Sequence, residues 1–185
     1  MCDNENNFQM NKINVCEYKI QFYLENKNIY LHNIIDFGLV KLFYDLNQDI
    51  YEKIDLNILS DTEATLLAIN KHLFQDLGIS QKYTYLKIKK TIIQDEKKII
   101  FDSKSQRPEE ISSLQKQLIP EKAKQSPIEE FLVVCNIINQ HKIELNIDLK
   151  LDMTLVELPN FVENLLRKIF LKMFKRVKQF IENIE

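Results

Sequence analysis

Glycine is almost missing from this 185-residue chain: only Gly38 and Gly78 occur. Glycine-rich phosphate cradles of the G-x-G-x-x-G or G-x-x-x-x-G-K kind are therefore excluded. There is no tryptophan, and the three cysteines, Cys2, Cys16 and Cys135, are odd in number and lack C-x-x-C spacing. Neither a disulfide framework nor a zinc cluster follows, and we expect an intracellular, cytoplasmic protein. Arginine is confined to Arg107, Arg167 and Arg176. With Ile, Asn and Lys in excess, this reads as a coding sequence rich in A and T rather than a functional choice. No apolar run approaches the roughly 18–20 residues needed to span a bilayer, and the start of the chain lacks a signal-peptide pattern. A formal net charge of -2 gives no bulk attraction to nucleic acid.

The composition that remains, 45% apolar and 28% charged, is that of a soluble domain with a real core. The clearest pattern lies at the end of the chain. Val162, Leu165, Leu166, Ile169, Phe170, Met173, Phe174, Val177, Phe180, Ile181 and Ile184 recur at steps of three and four, which predicts a long helix with one apolar face. Pro159 suits its first turn. Buried together, these side chains amount to a gross gain on the order of 20 kcal/mol, an upper figure that demands a large partner surface. Such a surface precedes it: Ile143, Leu145, Ile147, Leu149, Leu151 and Met153 alternate with polar residues over 141–153, the signature of a strand with one dry side.

Residues 1–14 read as a flexible polar tail and 15–185 as a single α+β domain. Within it, alternation predicts strands at 16–24, 29–31, 50–58, 83–93, 98–101 and 131–138, and a short helix at 34–46 capped by Asn33 or Asp36. Ser60 and Glu63 form an S-x-x-E capping box before an apolar stretch, and Gly78 stands where a helix would end in a left-handed turn. A helix over 61–77 is expected. Residues 103–127, with three of the four prolines, read as a long polar loop, a lid or docking segment, and deleting Glu109 to Gln125 from it should cost little stability.

The order of elements, ending in a long strand followed by a long helix, resembles the helix-grip domains of the START and Bet v 1 type. That resemblance implies a curved antiparallel sheet of about six to seven strands gripping the last helix. It also implies a cavity between them for a hydrophobic or lipid-like ligand, and non-enzymatic binding. The candidate lining is Leu145, Ile147 and Leu149 from the strand with Val162, Leu166, Ile169, Phe170 and Met173 from the helix. The alternative is an interaction subunit whose apolar helix face packs on a protein partner. Lys168, Lys172, Lys175 and Arg176 form a candidate basic patch for peripheral membrane contact, set against a plainly solvated helix face. His32, His72 and His141 are scattered, no nucleophile motif is present, and no metal, cofactor or catalytic residue is assigned.

Overall fold

The computed structural model describes residues 8–14, 16–73, 75–152 and 160–185. Its elements in chain order are β1 (Phe8–Lys12), β2 (Glu17–Glu25), α1 (Phe37–Asp45), β3 (Tyr51–Ile58), β4 (Glu63–Asn70), β5 (Lys82–Ile93), β6 (Lys98–Ser105), α2 (Ser113–Lys116), β7 (Lys124–Gln125), β8 (Ile128–Asn139), β9 (Lys142–Leu151) and α3 (Asn160–Glu182). They build an α+β fold: one antiparallel sheet in the order β1-β2-β9-β8-β6-β5-β4-β3, with β7 beside the start of β5 in parallel, and α3 across the concave side. The sheet therefore has nine strands among the described residues, against the six to seven expected.

Period-two alternation sets the register. Tyr18, Ile20, Phe22 and Leu24 of β2 lie opposite Leu149, Ile147, Leu145 and Ile143 of β9, and all eight are buried. Onto this face α3 lays Phe174, Val177 and Ile181, and its Met173 is buried as well. The Phe174 ring joins three elements, with centroids 5.9 Å from Phe22, 4.9 Å from Phe43 and 6.4 Å from Phe131. The helix stripe is narrower than the sequence implies, because Leu165 and Phe180 are exposed, while Val162, Leu166 and Met153 lie outside the residues whose side chains are described.

Helix α1 begins where Asp36 accepts hydrogen bonds from the N–H groups of Gly38 and Leu39. A Cβ on Gly38 would meet that carboxylate at 2.8 Å, which accounts for the glycine. The expected strand at 29–31 is not formed; Leu31–Ile34 is instead a 3-10 turn with Leu31 buried.

Three further expectations are corrected. Part of the supposed tail is β1, held because Phe8 and Met10 are buried against β2, Phe8 stacking on Phe22 at 4.9 Å. The helix over 61–77 is instead strand β4, paired with β3 and β5. The Ser60 hydroxyl does accept from the N–H of Thr62 and Glu63, but it closes the β3–β4 turn rather than a helix. Leu66 and Ala68 face the main core and Leu67 and Ile69 a second cluster. A strand buried on both faces reads as a continuous apolar run, which periodicity does not distinguish from a helix. Gly78 is left-handed as expected, at φ 69°, but ends the 3-10 turn Gln75–Leu77.

The segment 103–127 is not a free loop. Strand β6 runs through Ser105, and the rest folds onto the outer face of β4 and β5, where Ile111 joins Leu67, Ile69, Tyr83 and Tyr85 with Leu118, Ile119 and Ala123 packed around them. Gln115 donates to Asp55 at 2.8 Å, and Gln125 to the Ser105 hydroxyl at 2.8 Å.

Candidate functional site

Between the concave sheet and the two longer helices lies a cavity of about 110 Å³. Phe22 and Leu24 of β2, Leu145 and Ile147 of β9, and Phe131, Val133 and Cys135 of β8 form one wall. Phe101 and Ser103 of β6, Thr84, Leu86 and Ile88 of β5, and Leu66 and Ala68 of β4 form the opposite one. Helix α1 contributes Leu39, Val40, Phe43 and Tyr44, and α3 contributes Phe170, Phe174 and Val177, one helical face at spacings of four and three. No charged side chain lines the space among the described residues.

Two bulges aim residues into it. The register between β3 and β4 shifts between Tyr51 and Lys53, and that between β8 and β9 between Ile128 and Glu130. Each inserts one residue, Glu52 or Glu129, and reverses the facing of what precedes it. Tyr51 and Ile128 thereby turn inward and line the cavity. Tyr44 and Tyr51 meet edge to face at 4.8 Å, and burial pushes both phenols well above their ordinary pKa. Cys135, fully buried, has its thiol pushed up to about 12 by the same cause.

The turn linking the two tyrosines is fastened to α3. Asn47, with no exposed surface, donates from Nδ2 to the Phe43 carbonyl at 2.6 Å and to the Met173 carbonyl at 3.5 Å, and accepts from Arg176 at 3.1 Å. Arg176 also grips Asp49 with both terminal nitrogens, and Lys172 reaches Asp49 at 3.1 Å. The Arg176 hydrogen bond holds the Asp49 carboxyl well below the usual carboxylate range; partial burial opposes this and Lys172 reinforces it. One to two turns further along α3, Asn26 donates to the carbonyls of Ile181 at 2.6 Å and Ile184 at 2.8 Å, closing the helix C-terminus.

Of the expected lining residues, the structure brings together Leu145, Ile147 and Phe170. Leu149 and Met173 are buried and Ile169 is half-buried, none of them bordering the cavity; 100° per residue turns the helix positions 169 and 173 away from the face carrying Phe170, Phe174 and Val177. Val162 and Leu166 lie outside the described side chains. The basic group is divided: Lys172 and Arg176 pair with Asp49, Lys175 is half-buried, and Lys168 is exposed. His72 and His141 each meet backbone carbonyls, of Ile79 for the first and of Asn26 and Ile29 for the second. No group of three or more His, Cys, Asp or Glu side chains capable of holding a metal occurs among the described residues. Tyr44, Tyr51, Thr84 and Ser103 were not singled out from the sequence. Alternation assigns Tyr51 to the wet face of its strand, and only the bulge reverses it.

No family model matches the chain, and no curated protein matches it by sequence. Solved structures do. The lipid transfer and protein localization domain of human StarD13 (DLC2) superposes over 100% of this chain and 89% of its own, with a TM-score of 0.67 at 8% identity. The fold is a START-type helix grip. Human StAR-related lipid transfer protein 5 matches over 97% of this chain and 88% of its own at a TM-score of 0.64 and 11% identity, and human STARD10 over 95% and 75% at 0.55 and 10%. Identity this low carries the START-type backbone path and no individual site residue.

Proposed function

We propose that this START-type domain binds a hydrophobic or lipid-like molecule between its sheet and α3, without catalysing a reaction on it. The observation that carries the reading is the cavity itself, about 110 Å³ of space walled by seven strands and two helices and free of charged lining among the described residues. Interiors are normally packed to the density of organic crystals, so a void of this size forfeits dispersion contacts that a ligand would restore. It approaches the roughly 150 Å³ of an engineered apolar cavity that takes benzene, and a ligand-sized cleft of ~300 Å³ or more requires α1 or α3 to move outward. Two of the matched human proteins are named for lipid transfer, in keeping with this use of the fold. The alternative of an interaction subunit rested on the apolar face of α3, and that face packs into the domain's own core through Phe174, Val177 and Ile181.

Native mass spectrometry of the protein purified from its own cells tests the proposal. A stoichiometric small adduct, lost in an Ala68→Phe variant that fills the cavity while keeping its circular dichroism, is the expected result. An apo protein that also takes up no N-phenyl-1-naphthylamine, a neutral apolar fluorophore, would refute it.

A further inference from the structure

Polar groups are few on the cavity wall, and those at one end are arranged unlike the rest. The Thr84 hydroxyl is already engaged with that of Ser126 at 2.7 Å, and the buried Ser103 of β6 offers a single hydroxyl to the wall. Tyr44 and Tyr51 sit together, and among the described residues no hydrogen bond reaches either hydroxyl. Their placement is built from several independent devices: the last turn of α1, the Glu52 bulge, and the Asn47 turn, where the N–H of Asn47 bonds the Tyr44 carbonyl and the Asn47 carbonyl accepts from Ile50 and Tyr51. The neighbouring charges do not line the cavity: Arg176 and Lys172 both pair with Asp49 outside it.

We propose that the molecule held here is uncharged and carries one polar group, a hydroxyl or carbonyl, that accepts a hydrogen bond from Tyr44 or Tyr51. This rests on the ligand-binding reading above and narrows it. A carboxylate or phosphate inside an apolar space without a cationic partner loses its hydration uncompensated, whereas a neutral oxygen needs only a donor. Both phenols stay protonated because burial disfavours their ionised form, so they serve as neutral donors throughout the physiological range.

The test uses the full chain loaded with N-phenyl-1-naphthylamine and displaced by 1-dodecanol or by dodecanoate at pH 8, two molecules of equal chain length that differ in charge. The alcohol is expected to displace at concentrations at least about tenfold lower. In a Tyr44→Phe/Tyr51→Phe double variant the alcohol should weaken by about three- to tenfold relative to the fluorophore titrated in the same variant, the value of one hydrogen bond. Single variants repeat the measurement if the double one melts early. Dodecanoate binding as well as dodecanol in the unaltered protein overturns the proposal, as does unchanged alcohol affinity in the double variant. A fluorophore that fails to bind at all removes the ligand-binding reading itself, and the narrower claim with it.

Discussion

Asn26 offers the sharpest test of how α3 is held on the sheet. Its amide nitrogen serves the carbonyls of Ile181 and Ile184, its amide oxygen accepts from the N–H of Asn28 at 2.7 Å, and its own backbone bonds His141. Only 5% of the residue is exposed. Asn26→Ala leaves the buried Ile181 carbonyl only the long 3.4 Å bond from the Ile184 N–H, at about 1–3 kcal/mol, and loses a part-buried bond to Ile184 worth about 0.5–1.5 kcal/mol. The expected loss is about 2–4 kcal/mol, which at roughly 2–4 °C per kcal/mol for a chain of this size lowers Tm by about 4–16 °C. Asn26→Asp separates packing from hydrogen bonding. It keeps the shape but faces two carbonyls with acceptor oxygens and adds negative charge at the negative end of the helix dipole. It should therefore destabilise more than alanine does. Thermal melts followed at 222 nm, with urea titrations to extract ΔG, decide the matter. An alanine variant melting within 1 °C of the parent, or an aspartate variant more stable than the alanine one, refutes the claim that these bonds close the helix.

Replacing residues 109–123 by a short Gly-Ser linker should cost about 3–6 kcal/mol in urea unfolding, since it bares Leu67, Ile69, Tyr83 and Tyr85; a loss below 1 kcal/mol would mean that cluster contributes nothing. For Asp49 the folded carboxyl is depressed, so its contribution is complete above the unfolded value near 3.9 and is lost as pH falls below it. Asp49→Asn should thus destabilise at pH 7 by on the order of 1 kcal/mol, given the solvent exposure of the pair, and the gap to the parent should shrink on going from pH 5 to pH 2; a gap that widens contradicts the pairing. Cys135, its thiol raised to about 12, disfavours ionisation in the folded state, so its linked stability is present below pH ~8.5 and declines as pH rises towards 12. Iodoacetamide should accordingly modify the half-buried Cys16 in the native protein and spare Cys135 until unfolding, as read by peptide mass mapping.

The parts of this fold legible beforehand are those with a single buried face. In β2 and β9 every second residue is dry, and in α3 Phe170, Phe174 and Val177 repeat at helical spacing, so periodicity reports the element and its orientation together. Strand β4 reads as a helix because both of its faces are covered, which removes the alternation. The outer covering of 107–125 was missed because its apolar residues, Ile111, Leu118, Ile119 and Ala123, are sparse and irregularly spaced. Each bulge is a one-residue insertion in a pairing register, and a register belongs to two strands distant in sequence. That is why alternation alone assigns Tyr51 to the wrong face.

By itself, the sequence determined which side chains leave water: the hydrophobic effect is non-directional and scales with area, so a pattern of apolar positions suffices to state it. Only the tertiary structure decided what those side chains meet. Phe170 borders empty space while Met173, three residues on, is packed solid, because the curvature of the sheet and the seating of α1 under α3 leave a gap on one side of the helix and close it on the other. Exclusion from water is encoded locally, but the volume left between elements depends on how all of them fit together.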